Sequence, residues 1–365
     1  MEPVRLEVAT PSRAYPVTIA NGAIESLGRA LDDARAPGRR FVVSSPLVWR
    51  LHGTELARAL NGSGTPAEPI LVPDGERYKQ LATVTRIYDS LVTAKADRSS
   101  TLITFGGGVI GDMAGFAAAT YLRGIALVHV PTTLLAQVDS AIGGKVGVNH
   151  ALGKNLIGAY HQPAAVIVDP ELLASLPRRE FRAGLYEVLK YGVIASRPLF
   201  QRVAAGLTQL FARDSSILLP VIAECCQIKG RVVEEDERES GPRRALNFGH
   251  TLGHALEAVT KYRRFRHGEA VGYGMLAAAN LSVTRGVMPA ADRDALASVI
   301  AKMGPLPAVA DLSAQQTVET IARDKKVIAG KLHFVLPLAI GSTTTVTDVT
   351  VEELIAAARG LGLQA

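Results

Sequence analysis

Along the first half of the chain, hydrophobic positions come in short, β-rich blocks separated by longer stretches with helical spacing. Arg40-Phe41-Val42-Val43-Ser44, Pro69-Ile70-Leu71-Val72, Thr101-Leu102-Ile103-Thr104-Phe105, Ala126-Leu127-Val128-His129-Val130 and Ala165-Val166-Ile167-Val168 are nearly continuous apolar runs. Strands read this way when both faces of a parallel sheet are covered. Between two of them, Gln80 to Lys95 carries a helical pattern. The alternation predicts an open α/β sheet, which binds ligands beyond the carboxyl ends of its strands. After Pro170-Glu171 helix formers dominate, and only Leu332–Leu336 and the Thr-rich Ser342–Val349 read as strand, a short hairpin. The expected division is an α/β domain over 1–174 and a mainly α-helical domain over 175–365. Without a linker between them, a hinge or packed junction is expected, with a cleft as the default site.

The second half holds the densest chemistry, Asn247-Phe248-Gly249-His250-Thr251-Leu252-Gly253-His254, with Arg243 before it and His267-Gly268-Glu269 after it. Read as one helix at about 100° per residue, Arg243, Asn247, His250 and His254 share a sector of about 60°. Phe248, Leu252, Ala255 and Val259 fall on the opposite, core-facing side. Gly249 and Gly253 lower helix propensity by roughly 1 kcal/mol each and would admit another backbone or a ligand. Thr251 stands where a His-Glu-x-x-His protease carries its base, which rules that chemistry out. Upstream, Glu187 and Lys190 lie three apart in an otherwise apolar segment, so the carboxylate needs a partner. Two partners are open: Lys190 in a helix ion pair, or a divalent metal shared with His250 and His267.

In the first half, Gly106-Gly107-Gly108-Val109-Ile110-Gly111-Asp112 follows a strand and opens a helical run. Such a turn offers bare amides to a pyrophosphate at a helix N-terminus, although a plain glycine turn satisfies the same pattern. Asp112 alone reads as a helix cap. Asp74-Gly75-Glu76-Arg77-Tyr78-Lys79 follows another strand, either as a surface pair or as a ribose-binding edge. Pro131-Thr132-Thr133, Asp139-Ser140, Gly143-Gly144-Lys145 and Gly153-Lys154-Asn155 put glycines, lysines and amides past a strand end. They read as a phosphate-binding loop or a surface loop.

Composition narrows the classes. The 365 residues suffice for two cored domains, and 48% hydrophobic with 20% charged residues is ordinary for a globular protein. A net charge of +6 permits nucleic-acid binding, but the basic residues are scattered without interleaved aromatics, which favours a basic pocket for an anionic small molecule and no nucleic-acid partner. Cys225 and Cys226 are neighbours and form neither a disulfide framework nor a metal knuckle. The N-terminus lacks a signal-peptide core and no stretch reaches membrane-span length, so no membrane association and a cytoplasmic location are expected.

Taken together, these motifs resemble the 3-dehydroquinate synthase family of sugar-phosphate cyclases, from Asp74-Gly75-Glu76 to the Asp324-Lys325-Lys326 region. The resemblance implies a Rossmann-like NAD-binding domain followed by a helical metal-binding domain. It implies Glu187, His250 and His267 as Zn²⁺ or Co²⁺ ligands. It places Asp74, Gly75, Glu76, Arg77, Tyr78, Lys79, Gly107, Gly108, Val109, Ile110, Gly111, Asp112, Thr132, Thr133, Asp139, Lys145 and Lys154 around NAD. It assigns Lys145, Asn155 and His254 to a substrate phosphate, and Lys229 and Arg243 to its carboxylate and hydroxyls, with Lys190 and Asn247 in the same site. It further implies a homodimer in which Arg123 reaches the neighbouring subunit's site. The implied reaction is a shikimate-pathway step toward chorismate and the aromatic amino acids. A seven-carbon sugar phosphate is transiently oxidised by NAD, loses phosphate, is reduced again, and closes to a carbocycle. Two positions depart from the family pattern: Tyr186 precedes Glu187 where a small residue is commoner, and Ser44-Ser45 stands where some members carry an acidic residue.

Three other readings are distinguishable. A sibling cyclase would use another seven-carbon phosphate; Arg243, Asn247 and Lys325-Lys326 favour the first reading. A polyol dehydrogenase would release NADH and would not need Lys145, Lys154 and Asn155. A non-enzymatic scaffold would not need a metal with open coordination positions.

Overall fold

The hydrophobic blocks become strands in a computed structural model, which describes residues 2–34, 36, 38–61, 69–322, 327–328 and 331–365. The Lys325-Lys326 pair lies outside the described residues. Strands β1 (Val4–Ala9), β2 (Ala14–Ile19), β3 (Arg40–Ser44), β4 (Pro69–Leu71), β5 (Thr101–Gly106), β6 (Ala126–Pro131) and β9 (Ala165–Val168) form one sheet in the order β1-β2-β9-β6-β5-β3-β4. All neighbours run parallel except the edge pair β1–β2. The five runs expected as parallel strands are therefore β3, β4, β5, β6 and β9.

Alternation along each central strand feeds two cores. Phe41, Val43, Leu102 and Leu127 pack with Val84, Ile87 and Leu91 of α3 (Leu81–Thr93) and Met113 and Ala117 of α4 (Gly108–Thr120). Val42, Ile103 and Val128 pack on the other face with Leu27 and Leu31 of α1 (Leu27–Asp33) and Leu56 and Leu60 of α2 (Pro46–Asn61). A sheet buried on both faces explains why its strands read as unbroken apolar blocks.

By packing, the chain divides into a unit of 1–177 with 213–238 and a unit of 178–212 with 239–365. The first includes α8 (Ser215–Glu235), started by Asp214 accepting from the Ser216 amide at 2.9 Å. The second contains α5 (Arg178–Ala195), α6 (Arg197–Ala205), α7 (Leu207–Phe211), α9 (His250–Val259), α10 (His267–Thr284), α11 (Ala290–Lys302), α12 (Ala314–Ala322) and α13 (Val351–Gly360). It also holds an antiparallel hairpin of Phe334–Ala339 with Ser342–Val346, where the Thr-rich segment was expected to pair. Among the described residues no helix is long and apolar enough to cross a membrane.

Three expectations are corrected. The glycine- and lysine-rich stretch after β6 is not a loop: β7 (Lys145–His150) and β8 (Gly153–Tyr160) form an antiparallel hairpin. Val146 and Val148 are buried in the α3/α4 core, with Ile157 and Ala159 packed against it, and that burial holds the ladder. The segment from Arg243 to His254 is not one helix. Pro242–Asn247 forms a 3₁₀ turn, Phe248 is extended in ψ at 125°, and Gly249 is left-handed at φ 77° before α9 begins. Asp112 does not cap α4; the capping position is Gly107, without a side-chain bond, and Asp112 pairs with Lys79.

Candidate active site

In the second unit, three helices converge because glycines let their backbones meet. A Cβ on Gly268, at the start of α10, would stand 1.9 Å from the Ala183 carbonyl oxygen of α5. One on Gly274 would stand 1.7 Å from the carbonyl oxygen of Gly249, directly ahead of α9. Gly253 meets Ala270 in the same way at 3.0 Å. The backbone approach allowed by Gly249 and Gly253 is thus made by α10.

This packing gathers Glu187 from α5, His250 from α9 and His267 from α10. The Glu187 Oε1 lies 3.6 Å from His250 Nε2 and 3.4 Å from His267 Nε2. His254, one turn beyond His250, completes a three-imidazole cluster whose ligand atoms lie within 4.8 Å of one another. Ring centroids are 5.2 Å apart for His250–His267 and 5.7 Å for His254–His267. Glu187 is only 1% exposed and also meets Lys190 at 2.5 Å, so the ion pair and the imidazole contacts coexist.

Electrostatics make the cluster cation-seeking. Burial works against a charged His267, but the Glu257 and Glu187 carboxylates outweigh it and hold the imidazole up at about 10. The His250 Nδ1 lies 3.0 Å from the Phe248 carbonyl, which leaves Nε2 toward Glu187. Glu269, fully buried, accepts from the Arg266 amide at the start of α10 and from Arg179 and Arg182 of α5 at 2.7 Å. Its bonds tie the strand-like entry of α10 to the helix that carries Glu187.

The break before α9 separates the remaining polar residues. Arg243 is 1% exposed in the 3₁₀ turn. Asn247 donates to Glu239 at 2.5 Å, and Glu239 itself is left-handed at φ 59°. No motif announces Glu239 in the sequence. Tyr186 fits beside Glu187 because α10 offers Gly272, whose added Cβ would lie 3.0 Å from the Tyr186 ring. Its ring is buried, and burial pushes the hydroxyl up to about 12.

In the first unit, the Gly106–Asp112 turn connects β5 to α4 as expected. Cβ atoms on Gly107 and Gly108 would meet Thr133 and Ser140 at 3.0 and 2.9 Å, so the turn is backed by the segment after β6. Thr132 is buried, and Thr133 Oγ1 accepts from the Ala136 amide at 3.2 Å. Asp139 lies in a π-helical turn, a form frequent at functional sites, and is held by Lys229 of α8. Lys229 also donates to the Asp139 carbonyl at 2.7 Å.

A second cluster surrounds Lys79, which bonds Asp112 and donates to Asn155 at 2.6 Å. Burial opposes the Lys79 ammonium, but Asp112 and Glu76 outweigh it and raise its pKa. Glu76 accepts from Asn149 at 2.7 Å and pairs with Lys154 at 3.5 Å. Asp74 accepts from the Gly75 amide at 2.7 Å, and Arg77 covers the Tyr78 ring at 4.4 Å. Val109, Ile110 and Gly111 lie in the first turn of α4, with Ile110 in the core. Lys145 is exposed at the start of β7, and Arg123 is exposed with φ 70° just after α4. Ser44 donates to the Phe105 carbonyl at 2.7 Å, a fully buried sheet contact.

The family profile for the 3-dehydroquinate synthase N-terminal region matches residues 69–183, and that for the C-terminal region matches 184–327. The chain belongs to the 3-dehydroquinate synthase family. Curated 3-dehydroquinate synthases from a Synechococcus strain and from Gloeobacter violaceus are each 47% identical to it. The first covers 97% of this chain and 98% of the relative, the second 96% and 97%. Among solved structures, a 2-epi-5-epi-valiolone synthase from Streptomyces hygroscopicus, with NAD⁺ and Zn²⁺ bound, is 28% identical at a TM-score of 0.87, covering 97% and 98% of the two chains. A 2-deoxy-scyllo-inosose synthase with carbaglucose-6-phosphate, NAD⁺ and Co²⁺ is 26% identical, also at 0.87, covering 98% and 99%. A probable glycerol dehydrogenase from Sinorhizobium meliloti, 16% identical at 0.65 over 94% and 95%, shares the fold alone. The 3-dehydroquinate synthase family therefore accounts for both halves of this chain.

Proposed function

We propose that this chain converts 3-deoxy-D-arabino-heptulosonate 7-phosphate to 3-dehydroquinate and phosphate, as a phosphate-eliminating lyase of the shikimate pathway. The observation that carries the reading is 47% identity to 3-dehydroquinate synthases along nearly the whole of both chains, against 28% to the valiolone synthase. The polyol dehydrogenase and scaffold readings are weaker for the same reason.

The residues present fit a divalent metal and NAD. Glu187 is shut off from solvent, with one oxygen against the Lys190 ammonium and the other facing His250 and His267 Nε2, so a carboxylate and two imidazoles converge where a cation would sit. Two imidazoles and one carboxylate leave coordination positions open for substrate, as in catalytic zinc sites. The N-terminus of α4 has glycine at the capping position and no side-chain cap, which suits a diphosphate. When bound, NAD would supply reversible hydride acceptance and Zn²⁺ or Co²⁺ would polarise the hydroxyl being oxidised.

The chain's own groups bind and orient. Glu187, His250 and His267 hold the metal. Asp74 to Lys79, Gly107 to Asp112, Thr132, Thr133, Asp139, Lys145 and Lys154 surround NAD. Lys145, Asn155 and His254 bind the substrate phosphate as cationic and amide donors. Arg243 and Lys229 bind carboxylate and hydroxyls, with Lys190 and Asn247 beside them. Oxidation of the ring hydroxyl acidifies the neighbouring C–H, and the departing phosphate can take that proton itself, so little acid–base power falls to the side chains. The reading includes a cytoplasmic homodimer in which Arg123 is offered to the neighbouring subunit.

The test is phosphate release from 3-deoxy-D-arabino-heptulosonate 7-phosphate with catalytic NAD and Zn²⁺ or Co²⁺, monitoring NADH absorbance. Stoichiometric phosphate and dehydroquinate without NADH accumulation is the expected result. Release only from sedoheptulose 7-phosphate would replace it with a sibling cyclase, and NADH build-up on a simple polyol with a dehydrogenase.

A further inference from the structure

Helix α9 presents more than its two histidines. His250, His254 and Glu257 stand at i, i+4 and i+7, within about 60° of one another around the axis. Glu257 is 4% exposed, and its Oε2 lies 3.3 Å from His267 Nδ1. The other nitrogen of the same ring faces Glu187 Oε1 at 3.4 Å. The His267 imidazole is therefore spanned by two carboxylates, one from α5 and one from α9.

The two candidate ligand histidines are oriented by different acceptors. For His250 the acceptor at Nδ1 is the neutral Phe248 carbonyl; for His267 it is the anionic Glu257. A carboxylate behind a ligating imidazole fixes the tautomer that keeps the proton on Nδ1 and makes Nε2 more electron-rich. From this geometry we infer that Glu257 is a positioning residue for metal capture: it holds His267 with Nδ1 protonated and Nε2 directed at the cation. The inference rests on the reading that Glu187, His250 and His267 hold the metal.

Glu257→Gln keeps the size and an acceptor oxygen but removes the charge. It is expected to weaken Co²⁺ and Zn²⁺ affinity by about ten- to a hundredfold, read by competition with a chromogenic chelator. The visible bands of the Co²⁺ protein should shift with it, a readout that a change in stability alone would not move. His250→Ala, titrated alongside, separates the two claims. If His250→Ala abolishes binding while Glu257→Gln leaves affinity and cobalt bands unchanged, Glu257 has no positioning role. If neither variant weakens binding, the metal site itself is misplaced. Nitrogen-15 NMR of the zinc-loaded parent gives a check that needs no variant: the His267 proton should reside on Nδ1, and a proton on Nε2 overturns the inference.

Discussion

Gly274→Ala is the sharpest probe of how this fold builds its site. The added methyl would lie 1.7 Å from the Gly249 carbonyl oxygen, 2.6 Å from its carbon and 3.0 Å from its Cα. These are backbone atoms that no rotamer change can move aside. Restoring an ordinary contact of about 3.4 Å requires α9 and α10 to part by more than 1 Å, and overpacking of this kind costs about 3 kcal/mol. For a unit of this size that corresponds to a fall in Tm of roughly 6–12 °C. His250 follows Gly249 directly, and His267 lies two turns before Gly274, so the same displacement pulls the imidazoles apart. Metal–ligand distances tolerate only about 0.2 Å. On the proposed ligand assignment the variant should therefore lose metal affinity by at least about a hundredfold, since it would displace His250 itself and not merely its support. Thermal unfolding of metal-free protein and chelator competition measure the two effects separately. Gly360→Ala is the control, because a Cβ there meets nothing within 4 Å. A Gly274→Ala protein with the parent's melting point and metal affinity would refute the view that glycine contacts set the ligand geometry.

Two further predictions concern the first unit. His129 is buried and bonded to Thr104 at 2.7 Å; burial first and His161 second lower its pKa from 6.5 to about 4. The unfolded chain takes a proton that the folded chain refuses, so stability falls as pH drops from about 6.5 to 4, by up to roughly 3 kcal/mol. Denaturant midpoints across that range should show a slope that flattens in His129→Gln; an unchanged slope would exclude His129 as its source. Lys79→Met should leave half-buried Asp112 without its cation and destabilise the unit by about 1–2 kcal/mol, less than for a fully buried pair. The double variant Lys79→Met/Asp112→Leu should recover most of that loss, and full additivity in the unfolding data would mean that the pair is not coupled.

How much of this was legible in the sequence depended on whether burial or tertiary contact decided the structure. The central strands were legible because a sheet covered on both faces leaves little ambiguity in its hydrophobic runs. The N-terminal hairpin was not read from the sequence, although Val4, Leu6 and Val8 alternate against Tyr15, Val17 and Ile19. The β7–β8 hairpin was obscured because its glycines and lysines suggest a loop, whereas Val146 and Val148 at period two are what fold it.

The candidate site shows the same division more sharply. Arg243, Asn247, His250 and His254 are spaced four, three and four apart, which a helix explains, yet the helix breaks at Gly249. Local propensity could not decide this, because the break is enforced where the Gly249 carbonyl meets Gly274, a residue of a different helix. Gly249 and Gly253 do announce that something comes close; they do not say what. Gly274 is hidden because α10 is apolar on nearly every face, so no stripe marks the side that approaches α9. Glu257 is the opposite case: its spacing from His250 and His254 places it on their face, while its role emerges only when His267 arrives from another helix. Residue types thus specify the available chemistry, but the imidazole–carboxylate cluster depends on three helices meeting at backbone distance, and the glycines that permit this belong to it as much as its side chains do.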